Sequence, residues 1–177
     1  SIVCDPDQDC NDLDKSLGAI LKHRTTSTGS KIGRVFVYGA FGGRFDQEMG
    51  CIQALYKWSH LFDHNMWLYD DRTVCWLLPA DFTNHIRLPR FDNTVKNPLG
   101  EGPTCGLIPI GVNADSVTTT GFKWDLNQTA TAFGGLVSTS NRVMAETVTV
   151  TTSHPLVFTA EVFSGIAEQQ NEEDDEL

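Results

Sequence analysis

The sequence predicts two kinds of fold in one chain: part of a parallel α/β domain, and after it a β-sandwich of the jelly-roll type. Helical and strand-like segments alternate up to about residue 72, which is typical of a parallel α/β domain. From residue 73 onward, short strand-like segments follow one another between proline and glycine turns, which is typical of a sandwich. We therefore divide the chain into residues 1–72, residues 73–165 and a disordered acidic tail, residues 166–177.

The first predicted element is a helix over residues 11–23. Asn11 is a good N-cap residue at its start. Apolar residues recur at helical spacing and would form one buried stripe, which comprises Leu13, Leu17, Ile20 and Leu21.

A βαβ unit is predicted next. Residues 34–39 form an uninterrupted apolar run, which is typical of a strand buried on both faces. A glycine-rich turn over residues 39–46 and an amphipathic helix ending near Trp58 follow it, and residues 66–69 give a second apolar run. Because the helix carries the chain back across the sheet, we expect the two strands to be parallel.

The remaining strands are short and lie between turn signals. Proline or glycine residues separate most of them. The predicted strands comprise residues 74–78, 85–88, 105–110, 116–120, 135–138, 147–151 and 156–160.

The composition excludes two classes of partner. The chain has 13 Lys and Arg against 23 Asp and Glu, a net charge of −10, and much of the excess lies in residues 168–176. Binding to a nucleic-acid backbone needs a clustered cationic face, so we expect no nucleic-acid partner. No apolar run approaches the roughly 20 residues that cross a bilayer, so we expect no membrane partner.

Five cysteines without a CxxC pair favour a reducing compartment, and we expect a cytoplasmic location.

Two loops carry residues that suit a polyphosphate ligand. Acids crowd residues 5–12, and oxygen ligands of this kind suit Mg²⁺, although composition alone favours a hydrophilic loop that caps the helix. In the turn over residues 39–46, glycines let the backbone approach a ligand, and the helix N-terminus offers free amides to phosphate. Arg44 would add a forked cation, and Asp46 could orient it or bind a nucleotide hydroxyl. An ordinary tight βα turn is an equal alternative.

Two hydroxyl-rich segments of the β region, residues 118–124 and 138–141, could line a pocket for a heteroaromatic ligand. They combine threonine, serine and asparagine with the aromatic Trp124. Threonine is also a good strand residue, and the pattern by itself favours that structural interpretation.

Five segments in one order resemble the thiamine pyrophosphokinases of the eukaryotic type, and the resemblance runs from about Pro6 to Val162. It implies an α/β domain followed by a β domain, ATP and thiamine as substrates, Mg²⁺ as the metal, and thiamine diphosphate and AMP as products. It also implies a homodimer with sites between its subunits. The five segments are residues 6–12 (PDQDCND), 39–47 (GAFGGRFDQ), 105–110 (CGLIPI), 118–124 (TTTGFKW) and 136–141 (LVSTSN).

The resemblance assigns the nucleotide side of the site to the first two segments. It associates Asp12 with Mg²⁺ and implies a catalytic role for Asp12, Arg44 and Asp46. The residues implied in nucleotide binding are Gln8, Asp12, Gly42, Gly43, Arg44, Asp46 and Gln47.

The resemblance assigns the thiamine side to the sandwich. Ser138, Ser140 and Asn141 match a segment at the thiamine pocket, and Trp124 matches a recurrent aromatic residue. After Asn141 the chain has no aromatic residue at the place where stacking on thiamine is expected, and Asn11 stands where threonine is usual.

The resemblance also implies a longer chain. The family begins with βα units that carry a DGGAN-like turn and a GDxDS-like acidic loop, and neither lies in these 177 residues. We therefore expect a fragment of the enzyme that is catalytically incomplete. The alternative is a non-catalytic protein that binds a thiamine-type ligand or serves as a dimerising scaffold.

Overall fold

The computed structural model describes residues 9–26, 33–88 and 100–163. Two helices, α1 (Asp12–Thr26) and α2 (Phe45–Trp58), and a short 3-10 helix, Ser59–Phe62, lie in the first half. Neither α-helix of the described ranges has the length and apolarity that crossing a membrane requires. The strands in these ranges are β1 (Val35–Tyr38), β2 (Met66–Tyr69), β3 (Thr73–Leu78), β4 (Thr83–Ile86), β5 (Gly100–Ile108), β6 (Ala114–Thr120), β7 (Thr129–Thr131), β8 (Ser138–Arg142), β9 (Val148–Thr152) and β10 (Leu156–Phe163).

The strands form two sheets. Six of them lie in the order β1-β2-β3-β10-β5-β8, and four lie in the order β4-β9-β6-β7. β1 and β2 are parallel and α2 connects them, so the predicted βαβ unit is confirmed. The other strand pairings in the described ranges are antiparallel, which is common in β-sandwiches.

The six-stranded sheet is buried on both faces at its centre. Val74 and Leu78 of β3 belong to the core shared with the four-stranded sheet. Cys75 and Leu77 of the same strand belong to a second core, which is built around Leu55 of α2. The described residues therefore form three layers: helices, the six-stranded sheet and the four-stranded sheet. The predicted combination of an α/β part and a β-sandwich is confirmed.

β1 differs from its prediction. Phe36 and Tyr38 are 61% and 70% exposed, so this strand is not buried on both faces. The reason is that β1 is the edge strand of the six-stranded sheet in the described ranges. Phe36 stacks instead on Trp67 of β2, with 5.1 Å between the ring centroids. In α1, Leu17 of the predicted stripe is buried, whereas Ile20 is exposed.

One strand prediction in the sandwich is wrong for most of its length, and one short strand is absent from the predictions. Residues 135–137 are not in a strand, because Gly134 has a φ of 83° and forms a turn, and β8 begins only at Ser138. β7 was not predicted, because a strand of three residues is too short to show a clear alternation of apolar and polar side chains. The other predicted strands are present, with ends that differ by a few residues.

The six-stranded sheet continues across the predicted division at residue 72. β3 pairs with β2 of the α/β part on one side and with β10 of the sandwich on the other. The division between residues 72 and 73 remains a prediction. The acidic tail, residues 166–177, lies outside the described residues.

Candidate functional site

The glycine-rich turn lies where β1 and β2 end, at the carboxyl edge of the parallel strands. The amides of Gly39 and Ala40 donate to the carbonyl of Tyr69, at 2.8 and 3.3 Å, and fix the turn beside the end of β2. Gly42 has a φ of 83°, which favours glycine, and no atom lies within 4 Å of the place where a Cβ would stand. A ligand can therefore approach the backbone of this turn closely.

Arg44 and Asp46 form a forked ion pair at the start of α2. The Nε and Nη2 atoms of Arg44 donate to the two carboxylate oxygens of Asp46, at 3.1 and 2.5 Å. Hydrogen bonding from Arg44 lowers the pKa of Asp46. Both side chains are exposed, at 75% and 62%, as is that of the neighbouring Gln47. This geometry fits the interpretation that Asp46 orients Arg44.

Glu48 is a residue of this turn that the sequence analysis missed. Its Oε1 atom accepts hydrogen bonds from the amides of Gly42 and Gly43, at 2.9 and 3.2 Å. These two glycines are positions that the resemblance implies in nucleotide binding. A signal was present in the sequence, because an acid in the first turn of a helix often reaches back to the amides that precede it.

The turn after β2 adds two acids to the same edge of the sheet. The Oδ1 atom of Asp70 accepts hydrogen bonds from the amides of Arg72 and Thr73, at 2.8 and 2.6 Å. Tyr38, at the end of β1, donates to Asp71, and this hydrogen bond raises the pKa of Tyr38. Asp70 therefore shapes the turn into β3, and Asp71 joins it to β1.

Asp12 lies away from the glycine turn. Two residues after it, Asp14 accepts hydrogen bonds from Trp58 Nε1 and from Lys57 Nζ, the latter at 2.9 Å, in the last turn of α2. Arg44 precedes the first turn of the same helix. Since α2 has 14 residues and is about 20 Å long, Asp12 and Arg44 lie near its opposite ends.

The acidic loop before α1 is only partly described. Gln8 lies outside the described residues, as do the acids at positions 5 and 7. Asn11 caps α1 as predicted, because its Oδ1 atom accepts a hydrogen bond from the amide of Asp14 at 2.8 Å. Across residues 9–26, 33–88 and 100–163, no three His, Cys, Asp or Glu side chains lie together so that they could hold a metal ion.

Asn141 is buried, and its amide group is fully used within the chain. Its Oδ1 atom accepts hydrogen bonds from the amides of Trp124 and Arg142, at 3.2 and 2.8 Å. Its Nδ2 atom donates to the carbonyl of Trp124 at 2.9 Å and to Ser138 Oγ at 3.4 Å. A side-chain amide has two acceptor positions and two donors, and all four have partners here. Asn141 thus fastens the turn that carries Trp124 to β8.

Trp124 presents its ring to the outside. The residue is 55% exposed, and Lys123 Nζ lies 4.4 Å from the ring centroid. Asp125 holds the turn, because its Oδ1 atom accepts hydrogen bonds from the amide of Phe122 at 3.1 Å and from Thr119 Oγ1 at 3.0 Å. Since the face of an indole attracts cations, this ring suits a flat ligand with a positive charge.

Ser138 and Ser140 face different surroundings. Ser138 lies beside Asn141, as its hydrogen bond shows. Ser140 has a φ of 54° and lines a separate hollow of about 200 Å³, together with Thr104 and Glu161. The pairing of β8 with β5 is irregular between Ser138 and Asn141.

The two sides of the predicted site lie at opposite edges of the six-stranded sheet. The glycine turn follows β1, and the thiamine-side residues lie in and beside β8, which are the two edge strands. Five strand spacings of about 4.8 Å separate these strands, a distance of about 24 Å across the sheet. Within one chain, the structure does not bring Arg44 and Asn141 together.

Comparisons with known proteins identify relatives for both parts of the chain. The protein-family model described as "Thiamin pyrophosphokinase, catalytic domain" matches residues 1–68. A second family model, described as "Thiamin pyrophosphokinase, vitamin B1 binding domain", matches residues 92–157. Thiamine pyrophosphokinase 1 of Oryza sativa is 40% identical over 153 residues, which cover 86% of this chain and 53% of the relative. Thiamine pyrophosphokinase 2 of Arabidopsis thaliana is 38% identical over 156 residues, which cover 88% and 54%.

Solved structures give the same result. Thiamin pyrophosphokinase from Candida albicans superposes with a TM-score of 0.70 at 25% identity, and the match covers 88% of this chain and 62% of that chain. The chain spans about half the length of the plant relatives that it matches.

Proposed function

The chain belongs to the thiamin pyrophosphokinase family, and from this premise we propose that it forms part of an enzyme that makes thiamine diphosphate. The reaction transfers pyrophosphate from ATP to the hydroxyl group of thiamine and leaves AMP. The observation that carries the proposal is the exposed pair of Arg44 and Asp46, which lies beside glycine amides at the carboxyl edge of two parallel strands. This edge is where open α/β sheets bind nucleotides.

We assign the polyphosphate of ATP to the glycine turn. Gly42 and Gly43 lie in the turn, Gln47 lies exposed in the first turn of α2, and Asp46 holds the guanidinium of Arg44 in a fixed orientation. A fixed cation at this place stabilises the negative charge that develops on the leaving phosphate. Arg44 is therefore the residue to which we assign the largest share of the catalytic effect.

The chemical step is a displacement at phosphorus. The hydroxyl oxygen of thiamine attacks the β-phosphorus of ATP, and the bond from that phosphorus to the oxygen bridging to the α-phosphorus breaks. AMP leaves with the bridging oxygen, and the hydroxyl proton passes to solvent. Transfers of this kind depend on positioning and on charge stabilisation. We assign charge stabilisation to Arg44 and the orientation of Arg44 to Asp46, and we assign no general base.

We propose that Mg²⁺ enters with ATP and that Asp12 is one of its ligands, together with Gln8, which lies four positions earlier in the sequence. In such sites one or two carboxylates and the substrate phosphates hold Mg²⁺, which neutralises part of the phosphate charge. Asp12 is exposed in the first turn of α1, where a metal can reach it. Because Asp12 and Arg44 lie near opposite ends of α2, we assign no step to the metal.

We assign thiamine to the sandwich. The thiazolium ring of thiamine is flat and positively charged, and the exposed ring of Trp124 already has a lysine ammonium group over its face. Asn141 holds the backbone of Trp124 through hydrogen bonds to its amide and its carbonyl. We assign the hydroxyl group of Ser138 to the pocket beside Trp124. Ser140 lines the separate hollow with Thr104 and Glu161, and its implied role in thiamine binding stays a prediction.

ATP-dependent formation of thiamine diphosphate tests the function. The assay compares this chain with a longer chain in which the family's first βα units precede it. We expect turnover by the longer chain, and a loss of at least about 100-fold in kcat when Arg44 is replaced by alanine. Arg87→Ala is the control, because Arg87 is also an exposed arginine paired with an acid but lies just after β4. If neither wild-type chain makes thiamine diphosphate, the enzyme proposal is rejected.

We propose that the active form is a homodimer in which the glycine turn of one chain faces the Trp124 side of the other. Mixed dimers test this arrangement in the longer chain. With thiamine well below saturation, we expect the Arg44→Ala chain alone to lose at least about 100-fold in activity and the Trp124→Ala chain alone to lose about tenfold. Random mixing restores one intact site in each heterodimer, so about a quarter of the wild-type activity returns. No recovery on mixing would mean that one chain supplies both sides.

The cytoplasmic location remains a prediction.

A non-catalytic binding protein is the second candidate. The separation of Asp12 from Arg44 and the occupation of the Gly42 and Gly43 amides by Glu48 favour it. Calorimetry with thiamine and with MgATP separates the candidates, because a ligand carrier binds thiamine without MgATP and a pure scaffold binds neither.

A further inference from the structure

We infer that Glu48 is an internal occupant of the amides to which we assign phosphate, and that an incoming polyphosphate has to displace it. The inference rests on the proposed function, because that proposal assigns Gly42 and Gly43 to the polyphosphate. It goes further by naming a residue of this chain that opposes nucleotide binding.

The contacts of the turn show the competition directly. Each backbone amide has one hydrogen to donate, and those of Gly42 and Gly43 both point to the same Glu48 oxygen, at 2.9 and 3.2 Å. A phosphate oxygen that uses these amides must take the place of that carboxylate oxygen. If the carboxylate stayed, two negative groups would face each other at contact distance.

A second acid, Asp46, binds the guanidinium of Arg44. Arg44 donates two hydrogen bonds to Asp46, which keeps the guanidinium oriented beside the amides. Asp46 and Glu48 therefore differ in their effect. Asp46 orients the guanidinium of Arg44, which remains exposed, whereas Glu48 occupies the amide donors of Gly42 and Gly43.

A purely structural role for Glu48 is the competing explanation. Glu48 lies in the first turn of α2, and a side chain there that accepts hydrogen bonds from preceding amides caps the helix. Glutamine at position 48 keeps an acceptor oxygen for these amides and removes the charge, whereas alanine removes both. The two variants therefore separate the effect of charge from the effect of capping.

Binding of inorganic tripolyphosphate tests the inference without a nucleoside or thiamine. Calorimetry at fixed ionic strength compares the wild-type chain with Glu48→Gln and Glu48→Ala, and thermal melting checks that each variant folds. Asp115→Asn is the control, because it makes the same change in net charge at an exposed site on β6. We expect both Glu48 variants to bind tripolyphosphate about threefold to tenfold more tightly than wild type, and Asp115→Asn to bind like wild type.

The location of binding is read from the amide signals of Gly42 and Gly43 in ¹⁵N NMR spectra. We expect tripolyphosphate to shift both signals at lower concentration in Glu48→Gln than in wild type. Equal affinity of Glu48→Gln and wild type, weaker affinity of Glu48→Gln, or no binding by any chain would each overturn the inference.

Turnover with ATP and thiamine is measured separately in the longer chain. Tighter tripolyphosphate binding by Glu48→Gln without any turnover in wild type leaves the inference in place and rejects the enzyme proposal. Turnover together with unchanged tripolyphosphate affinity rejects the inference and leaves the enzyme proposal in place.

Discussion

Replacement of Asn141 by alanine is expected to lower the free energy of unfolding by about 3 kcal/mol. The side chain accepts two hydrogen bonds from the amides of Trp124 and Arg142, and donates one to the carbonyl of Trp124. Each such bond contributes about 1 kcal/mol, and removal of the side chain leaves backbone groups without partners in a position that is only 4% exposed. With a urea dependence of about 2 kcal/mol per M, the midpoint of unfolding falls by about 1.5 M.

Urea unfolding followed by circular dichroism measures this effect. Asn127→Ala is the matched control, because Asn127 is an exposed asparagine between β6 and β7, in the same part of the sandwich. We expect its midpoint to equal that of the wild-type chain. If Asn141→Ala lowers the midpoint by less than about 0.3 M, the amide does not fasten the turn and the reasoning is refuted.

Three further substitutions test other contacts. Tyr56→Phe removes the hydrogen bond from the Tyr56 hydroxyl to the carbonyl of Ile110, at 2.6 Å. We expect the free energy of unfolding, measured in urea, to fall by about 1 kcal/mol, and an unchanged midpoint would contradict this. Burial opposes ionisation of Asp14, but hydrogen bonds from Trp58 and Lys57 outweigh it and lower its pKa. The ionised Asp14 therefore stabilises the fold above about pH 4, and this stability is lost as the pH falls through the lowered pKa. Below pH 4 we expect the melting temperature of Asp14→Asn to fall less steeply with pH than that of the wild-type chain. Equal slopes would contradict this. Trp124→Leu is expected to weaken thiamine binding about tenfold in equilibrium dialysis, with Trp124→Phe in between, whereas equal affinities would exclude the ring as the binding surface.

The parts of the fold that depend on neighbouring residues could be predicted from the sequence. Asn11 caps α1 because a side-chain oxygen at that position is within reach of the amide three residues later. The alternation of short apolar runs with a glycine turn and an amphipathic helix predicted the parallel pair β1 and β2. These features depend on spacing along the chain, which the sequence contains in full.

Features that depend on distant contacts could not be predicted in the same way. The apolar residues of β1 predicted burial on both faces, but burial depends on what covers the strand, and Phe36 and Tyr38 are exposed at a sheet edge. The hydrogen bonds of Asn141 to a turn that lies 17 residues earlier could not be predicted from spacing along the chain, and its implied contact to substrate stays a prediction. For Glu48, the hydrogen bonds to Gly42 and Gly43 depend on local spacing, so the sequence contains a signal for them. The competition with a ligand that we propose depends also on the charge of that ligand, which the spacing does not show.

The placement of the two functional segments at sheet edges gives a physical reason why a site would be shared between two chains. At the centre of the six-stranded sheet, β3 and β10 are covered by the helices on one face and by the second sheet on the other, which leaves little room for a substrate. The exposed groups to which we assign ATP and thiamine in our proposal lie at opposite edges, with Arg44 after β1 and Trp124 beside β8. A site that needs both groups has to join one edge to the other. A two-fold axis achieves this with a single kind of interface and makes two equal sites, whereas a single chain would have to bend its sheet by far more than the normal strand twist.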